Sequence, residues 1–139
     1  MIEFYSEADF NIENKKKFSD WATRVITSEN ASVGELSYIF CTDEYLLRLN
    51  QKYLSHDTYT DILTFDYSEG LNLSGDIFIS VNRVKENAES LQIDFKEELL
   101  RVMAHGILHL IGYKDKSPTE IAEMRSKENE KIQLFHVEQ

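Results

Sequence analysis

Arg101-Val-Met-Ala-His105-Gly-Ile-Leu-His109-Leu-Ile-Gly112-Tyr113-Lys-Asp115-Lys116 is the stretch on which the reading of the whole chain turns. Apolar residues recur through it at helical spacing. Two of the four histidines in the chain sit inside that pattern, four residues apart. This separation puts both imidazoles on one face of a helix, one turn apart, where two ring nitrogens can reach one ion. Gly112 ends the helix, because glycine takes the left-handed backbone past a helix terminus at little cost. Asp115 follows on a chain that has turned back. Two imidazoles and one carboxylate around a divalent ion leave a coordination position open, as in a catalytic site. The same spacing also suits two hydrogen-bonded core histidines, and the residues alone leave both readings standing.

The residue after the first histidine narrows the chemistry. Zinc proteases carry His-Glu-x-x-His, with the glutamate as general base. Here that position is Gly106, which argues against a protease. A glycine in mid-helix costs about 1 kcal/mol relative to alanine. Its presence therefore implies either tight packing against another element or room for a substrate beside the metal.

Around this helix the sequence predicts one α+β domain spanning 1–139, with one four-stranded sheet, about five helices and the His-bearing helix central. Strands are expected over 2–5, 34–41, 61–67 (a buried strand) and 75–80, the last two antiparallel across a turn at 68–74. Helices are expected over 14–28, with Phe18, Trp21, Ala22 and Val25 inward, and then from the Thr42 cap to 53 and from the Ser80 cap to 91. Asp94 with Glu97 reads as a capping box opening the His-bearing helix. Ser117-Pro118-Thr119-Glu120 reads as a second box, opening a final, charge-rich and half-exposed helix to about 135. His136 falls at its frayed end.

Composition sets the outer limits. The chain has 139 residues, 42% of them hydrophobic, with one proline and five glycines, enough for one solid core without a long linker. A single cysteine, Cys41, fits a reducing compartment and a buried thiol. The acidic N-terminus lacks the plan of a signal peptide, and no apolar run approaches the ~20 residues of a membrane helix. A soluble cytoplasmic protein is expected. The net charge of -10 opposes nucleic-acid binding, although Lys15-Lys16-Lys17 forms a local basic run and a bound metal adds positive charge.

The run from His105 to Tyr113 resembles the signature of the bacterial rRNA-maturation endoribonuclease family known as YbeY. Leu49-Asn50-Gln-Lys-Tyr53, Thr60-Asp61-Ile-Leu-Thr-Phe65 and Ser74-Gly75-Asp76-Ile77 are similar to its other motifs, in the same order. The likeness covers about 36–135. It implies a single-strand-specific, metal-dependent endoribonuclease, usually assigned zinc, acting on single-stranded RNA in 16S rRNA 3′-end maturation and in 70S ribosome quality control. The metal ligands carried over are His105, His109 and Asp115. Three positions depart from the family pattern. Asp115 stands where a histidine is usual, Leu54 where an arginine is usual, and Asp66 where a proline is usual. Asp61 and Asp76 are candidate general bases, and His56 a candidate substrate contact. Two rival readings are a non-catalytic ribosome-associated factor with a structural metal and a small-substrate metallohydrolase. The ligand set alone also fits a 2-His-1-carboxylate iron oxygenase.

Overall fold

The computed structural model describes residues 1–54 and 60–137. Its elements run β1 (Ile2–Ser6), α1 (Lys15–Ser28), β2 (Ser32–Cys41), α2 (Asp43–Leu54), β3 (Ile62–Asp66), β4 (Asn72–Ser80), α3 (Val81–Leu91), α4 (Phe95–Ile111) and α5 (Pro118–His136). The four strands form one sheet in the order β1-β2-β4-β3. β1 and β4 flank β2 in parallel, and β3 runs antiparallel to β4 at the edge. The α+β class, the helix count and the β3–β4 pairing are as the sequence predicts. No described helix is long and apolar enough to cross a membrane.

Side chains alternate across a strand, and the two faces of the sheet are covered unequally. Leu36, Tyr38 and Phe40 of β2, with Ile77 and Ile79 of β4, point into the main core shared with α1, α4 and α5. On the other face Cys41, Leu46 and Leu63 make a small cluster under α2. Burial holds the Cys41 thiol up at about 12, so it stays protonated.

α4 is the most buried helix, with ten buried positions from Glu98 to Leu110. Two contacts fix its rotation on the sheet. The buried Tyr38 hydroxyl donates to the Met103 carbonyl at 3.0 Å, which spares the core an unsatisfied polar group at ~1–3 kcal/mol. Gly106 lies flat on the sheet, where an added Cβ would stand 2.9 Å from Ile77 Cγ2 and 3.1 Å from Ile62 Cδ1. Of the two readings of this glycine, the structure supports close packing.

Three expectations change. β3 is a half-exposed edge strand with only Leu63 buried, since among the described residues no strand pairs its outer side. β4 begins at Asn72, inside the expected turn. Asp94 makes no side-chain cap bond; Glu97, its expected partner, is held by His136 Nε2 at 2.6 Å, which gives that terminal histidine a contact. The caps at Ser80 and Thr42 and the Ser117–Glu120 box form as expected.

α5 reads as charge-rich, yet Met124, Glu128, Lys131, Ile132 and Phe135 are all buried. Lys131 is fully buried and gives its three N–H donors to Ser28 Oγ, Glu29 and Glu130 at 2.6–2.8 Å. Glu29 also receives Lys127 and the Tyr113 hydroxyl. Burial opposes the charge on Glu29, but these donors outweigh it and hold its carboxyl down at about 2.

Two predictions follow from these contacts. Gly106→Ala gains ~1 kcal/mol of helix propensity and loses ~1–3 to overpacking; a net destabilisation of about 1 kcal/mol is expected in urea unfolding, and a stabilised variant would count against the packing role. Glu29 has a depressed folded-state pKa, so its stabilisation is complete above about pH 4.3 and fades as pH falls toward 2. Glu29→Gln should be less stable than wild type at neutral pH, with the difference closing across that acid window.

Candidate metal centre

His105 and His109 lie one turn apart on α4, ring centroids 4.5 Å apart and planes at 82°. Gly112, at φ 127°, turns the chain, while its N–H and that of Tyr113 close on the last carbonyls of the helix. Tyr113 is then anchored by its hydroxyl on Glu29 at 2.8 Å. Three residues after Asp115, α5 is fixed by its capping box. Asp115 is thus held between two pinned points and reaches back to the helix. Its Oδ2 stands 3.4 Å from Nε2 of both His105 and His109.

This spacing has a chemical meaning. Ligands ~2.0–2.1 Å from a tetrahedral ion stand ~3.3–3.4 Å from one another. One donor atom from each of the three side chains lies within 4.8 Å of the others. The donor set, two imidazoles and one carboxylate, is borderline and suits first-row divalent ions, zinc among them.

Glu128 of α5 completes the arrangement from behind. Its Oε2 is 2.7 Å from His105 Nδ1, and the residue is 3% exposed. With the proton held on Nδ1 by the carboxylate, Nε2 presents its lone pair toward Asp115. Burial works against protonation of His105, but the bond and charge of Glu128 prevail, with Asp115 and Asp61 adding to them, and raise its pKa. Arg101 ion-pairs with the buried Glu98 and lies 4.0 Å from Glu128. Burial raises the pKa of Glu98 against the pull of Arg101.

The sequence reading missed Glu128. The available signal is its place in the stripe Met124, Glu128, Lys131, Ile132, Phe135, where a charged residue occupies an inward position. The other candidates separate clearly. Asp61 lines the cleft of about 360 Å³ beside His105 and Asp115, along with Arg101, Arg125 and Glu128. Asp76 pairs with Ser37 and Phe65, and its side chain alternates away from that of Ile77, which faces Gly106. It therefore lies on the opposite face of the sheet. His56 lies outside the described residues. Lys17 sits over the Phe135 ring, as does Lys96 in the first turn of α4, so the lysine run is at the far end of the helix from the histidines.

The family model described as Endoribonuclease YbeY matches residues 2–136. Among curated relatives, Endoribonuclease YbeY of Flavobacterium johnsoniae is 56% identical over 139 residues, covering 100% of both chains. That of Karelsulcia muelleri is 49% identical over 135 residues, covering 97% of this chain and 94% of its own. The solution structure of TM1509 from Thermotoga maritima superposes with a TM-score of 0.68 at 28% identity, covering 97% of this chain and 89% of the other.

Glu128 gives the site a test of its own. Losing a carboxylate that orients a ligating histidine costs ~10–100-fold in metal affinity. Glu128→Ala should weaken zinc binding by that factor in calorimetry, and Glu128→Gln, which still offers an oxygen to Nδ1–H, by less. Unchanged affinity in the alanine variant would remove Glu128 from the site.

Proposed function

The chain belongs to the endoribonuclease YbeY family, and from that membership we propose that it is a metal-dependent endoribonuclease whose single divalent ion, zinc, is held by His105, His109 and Asp115. Its substrate is single-stranded RNA. Its proposed setting is the cytoplasm, in 16S rRNA 3′-end maturation and 70S ribosome quality control. The observation that carries the reading is the Asp115 carboxylate oxygen standing 3.4 Å from each of the two imidazole nitrogens.

The residues divide the work. His105 and His109 would each offer Nε2 to the ion, and Glu128, 2.7 Å from Nδ1 of His105, orients that ring from the far side. Asp115 contributes the one negative charge. A divalent ion held by these three residues would supply Lewis acidity toward a phosphoryl oxygen and water. The cleft beside the donors, lined by Asp61, Arg101 and Arg125, is open to a substrate strand. The net charge of -10 makes the RNA contact local, so affinity should fall with salt with a log–log slope of about 0.7 for each phosphate contacted.

Asp115 sets the electrostatics. Two neutral imidazoles and one carboxylate leave a divalent site near +1, where three imidazoles would leave +2, so water at this site should be less acidic. Asp115→His is expected to keep zinc and to move the rising limb of the pH–rate profile to lower pH. Asp115→Ala should lose most zinc affinity, and full retention in calorimetry would exclude Asp115 as a ligand. The activity itself is tested by cleavage of a single-stranded RNA with purified protein, stripped by chelator and restored with metal. Metal binding without cleavage under any condition would favour the non-catalytic ribosome-associated factor instead.

A further inference from the structure

The cleft beside the histidines contains two guanidinium groups in different states. Arg101 is committed: its side chain is 16% exposed and lies between the buried carboxylates of Glu98 and Glu128. Arg125 is not. Its side chain is 56% exposed and makes no hydrogen bond among the described residues; its one ion pair there, Nε to Glu128 Oε1, spans 3.5 Å. That Glu128 oxygen is itself buried without a hydrogen-bond partner among the described residues. The fork of Arg125 thus stands at the wall of the cleft with no hydrogen bond among the described residues and a single ion pair, through Nε, to Glu128.

The surface beside Arg125 carries an apolar side chain. Ile121, one turn earlier on the same face of α5, lines the same cleft and is 49% exposed. An exposed apolar side chain next to an exposed guanidinium matches the two halves of a nucleotide. The planar fork binds phosphate oxygens in pairs, and the aliphatic chain packs against a sugar or base. We propose that Arg125 and Ile121 form a nucleotide subsite of the cleft, in which the guanidinium holds a phosphodiester flanking the bond that is cut and Ile121 supports the adjoining ribose or base. This subsite rests on the nuclease reading of the cleft.

Carboxylates surround the subsite, since Asp61, Asp115 and Glu128 share the cleft. An anion reaching Arg125 therefore gains most when the histidine site carries its divalent ion, and the measurement is made with zinc present. The probe is a fluorescent single-stranded 2′-O-methyl RNA, which resists cleavage, and binding is followed by anisotropy across a salt series. Arg125→Ala should weaken binding about 5–20-fold and reduce the slope of log K against log salt by about 0.7, the contribution of one single-strand phosphate contact. Arg125→Lys should restore the slope but only part of the affinity. Ile121→Ser should lower affinity with the slope unchanged. Charge reversal of Lys15, Lys16 and Lys17, at the far end of α4, serves as the comparison and should change the affinity less than Arg125→Ala does.

Unchanged affinity and slope in Arg125→Ala would overturn the subsite. So would a parallel loss of zinc affinity, which would assign Arg125 to the support of Glu128, or a wild-type protein that does not bind the probe. A protein that binds RNA through Arg125 yet cleaves none would overturn the nuclease reading and leave the subsite in place.

Discussion

The seating of α4 on the sheet is the constraint from which the rest of this structure follows. Gly106 allows the helix backbone to approach Ile62 and Ile77 closely, and the Tyr38 hydroxyl bonded to Met103 fixes its rotation. Once that face is turned inward, His105 and His109 lie at the border between core and surface, each partly exposed. A larger side chain at 106 would lift the helix and move both imidazoles together. The glycine that lowers helix propensity is therefore tied to the placement of the site.

The second constraint is electrostatic and runs through α5. Glu128 and Lys131 occupy inward positions of that helix, where an unpaired charge would be very costly. Each is compensated by side chains distant in sequence: Glu128 by His105 and Arg101, Lys131 by Ser28 and Glu29. Glu29 also anchors Tyr113, which precedes the turn carrying Asp115. The same polar contacts that dock α5 thus hold the carboxylate opposite the histidines. In this chain the packing of the last helix and the geometry of the candidate metal centre are not separable.

Much of the fold was legible because its signals are local. The alternation in β2, the caps at Thr42 and Ser80 and the box at Ser117 depend on residues within a few positions of one another. The readings that failed depend on distant partners. Asp94 and Glu97 have the residue types of a capping box, but Glu97 is taken by His136 from the end of the chain. β3 carries the composition of a buried strand and lies at the edge, since sheet order is set by how the connections cross and not by the strand itself. The Asp61 and Asp76 side chains look equivalent in the sequence; only the face on which each lies distinguishes them.

The sequence by itself determined the His105–His109 pair, the end of its helix at Gly112 and the return of Asp115, because the period of a helix fixes the first and the conformational freedom of glycine permits the others. The tertiary structure alone decided that Asp115 faces both rings, that Glu128 stands behind His105 across 23 positions, and that Arg125 reaches the same cleft while Lys15, Lys16 and Lys17 do not. Those relations depend on how α5 crosses α4. That crossing is set by the complementarity of two whole helix faces, and no spacing within either helix records it.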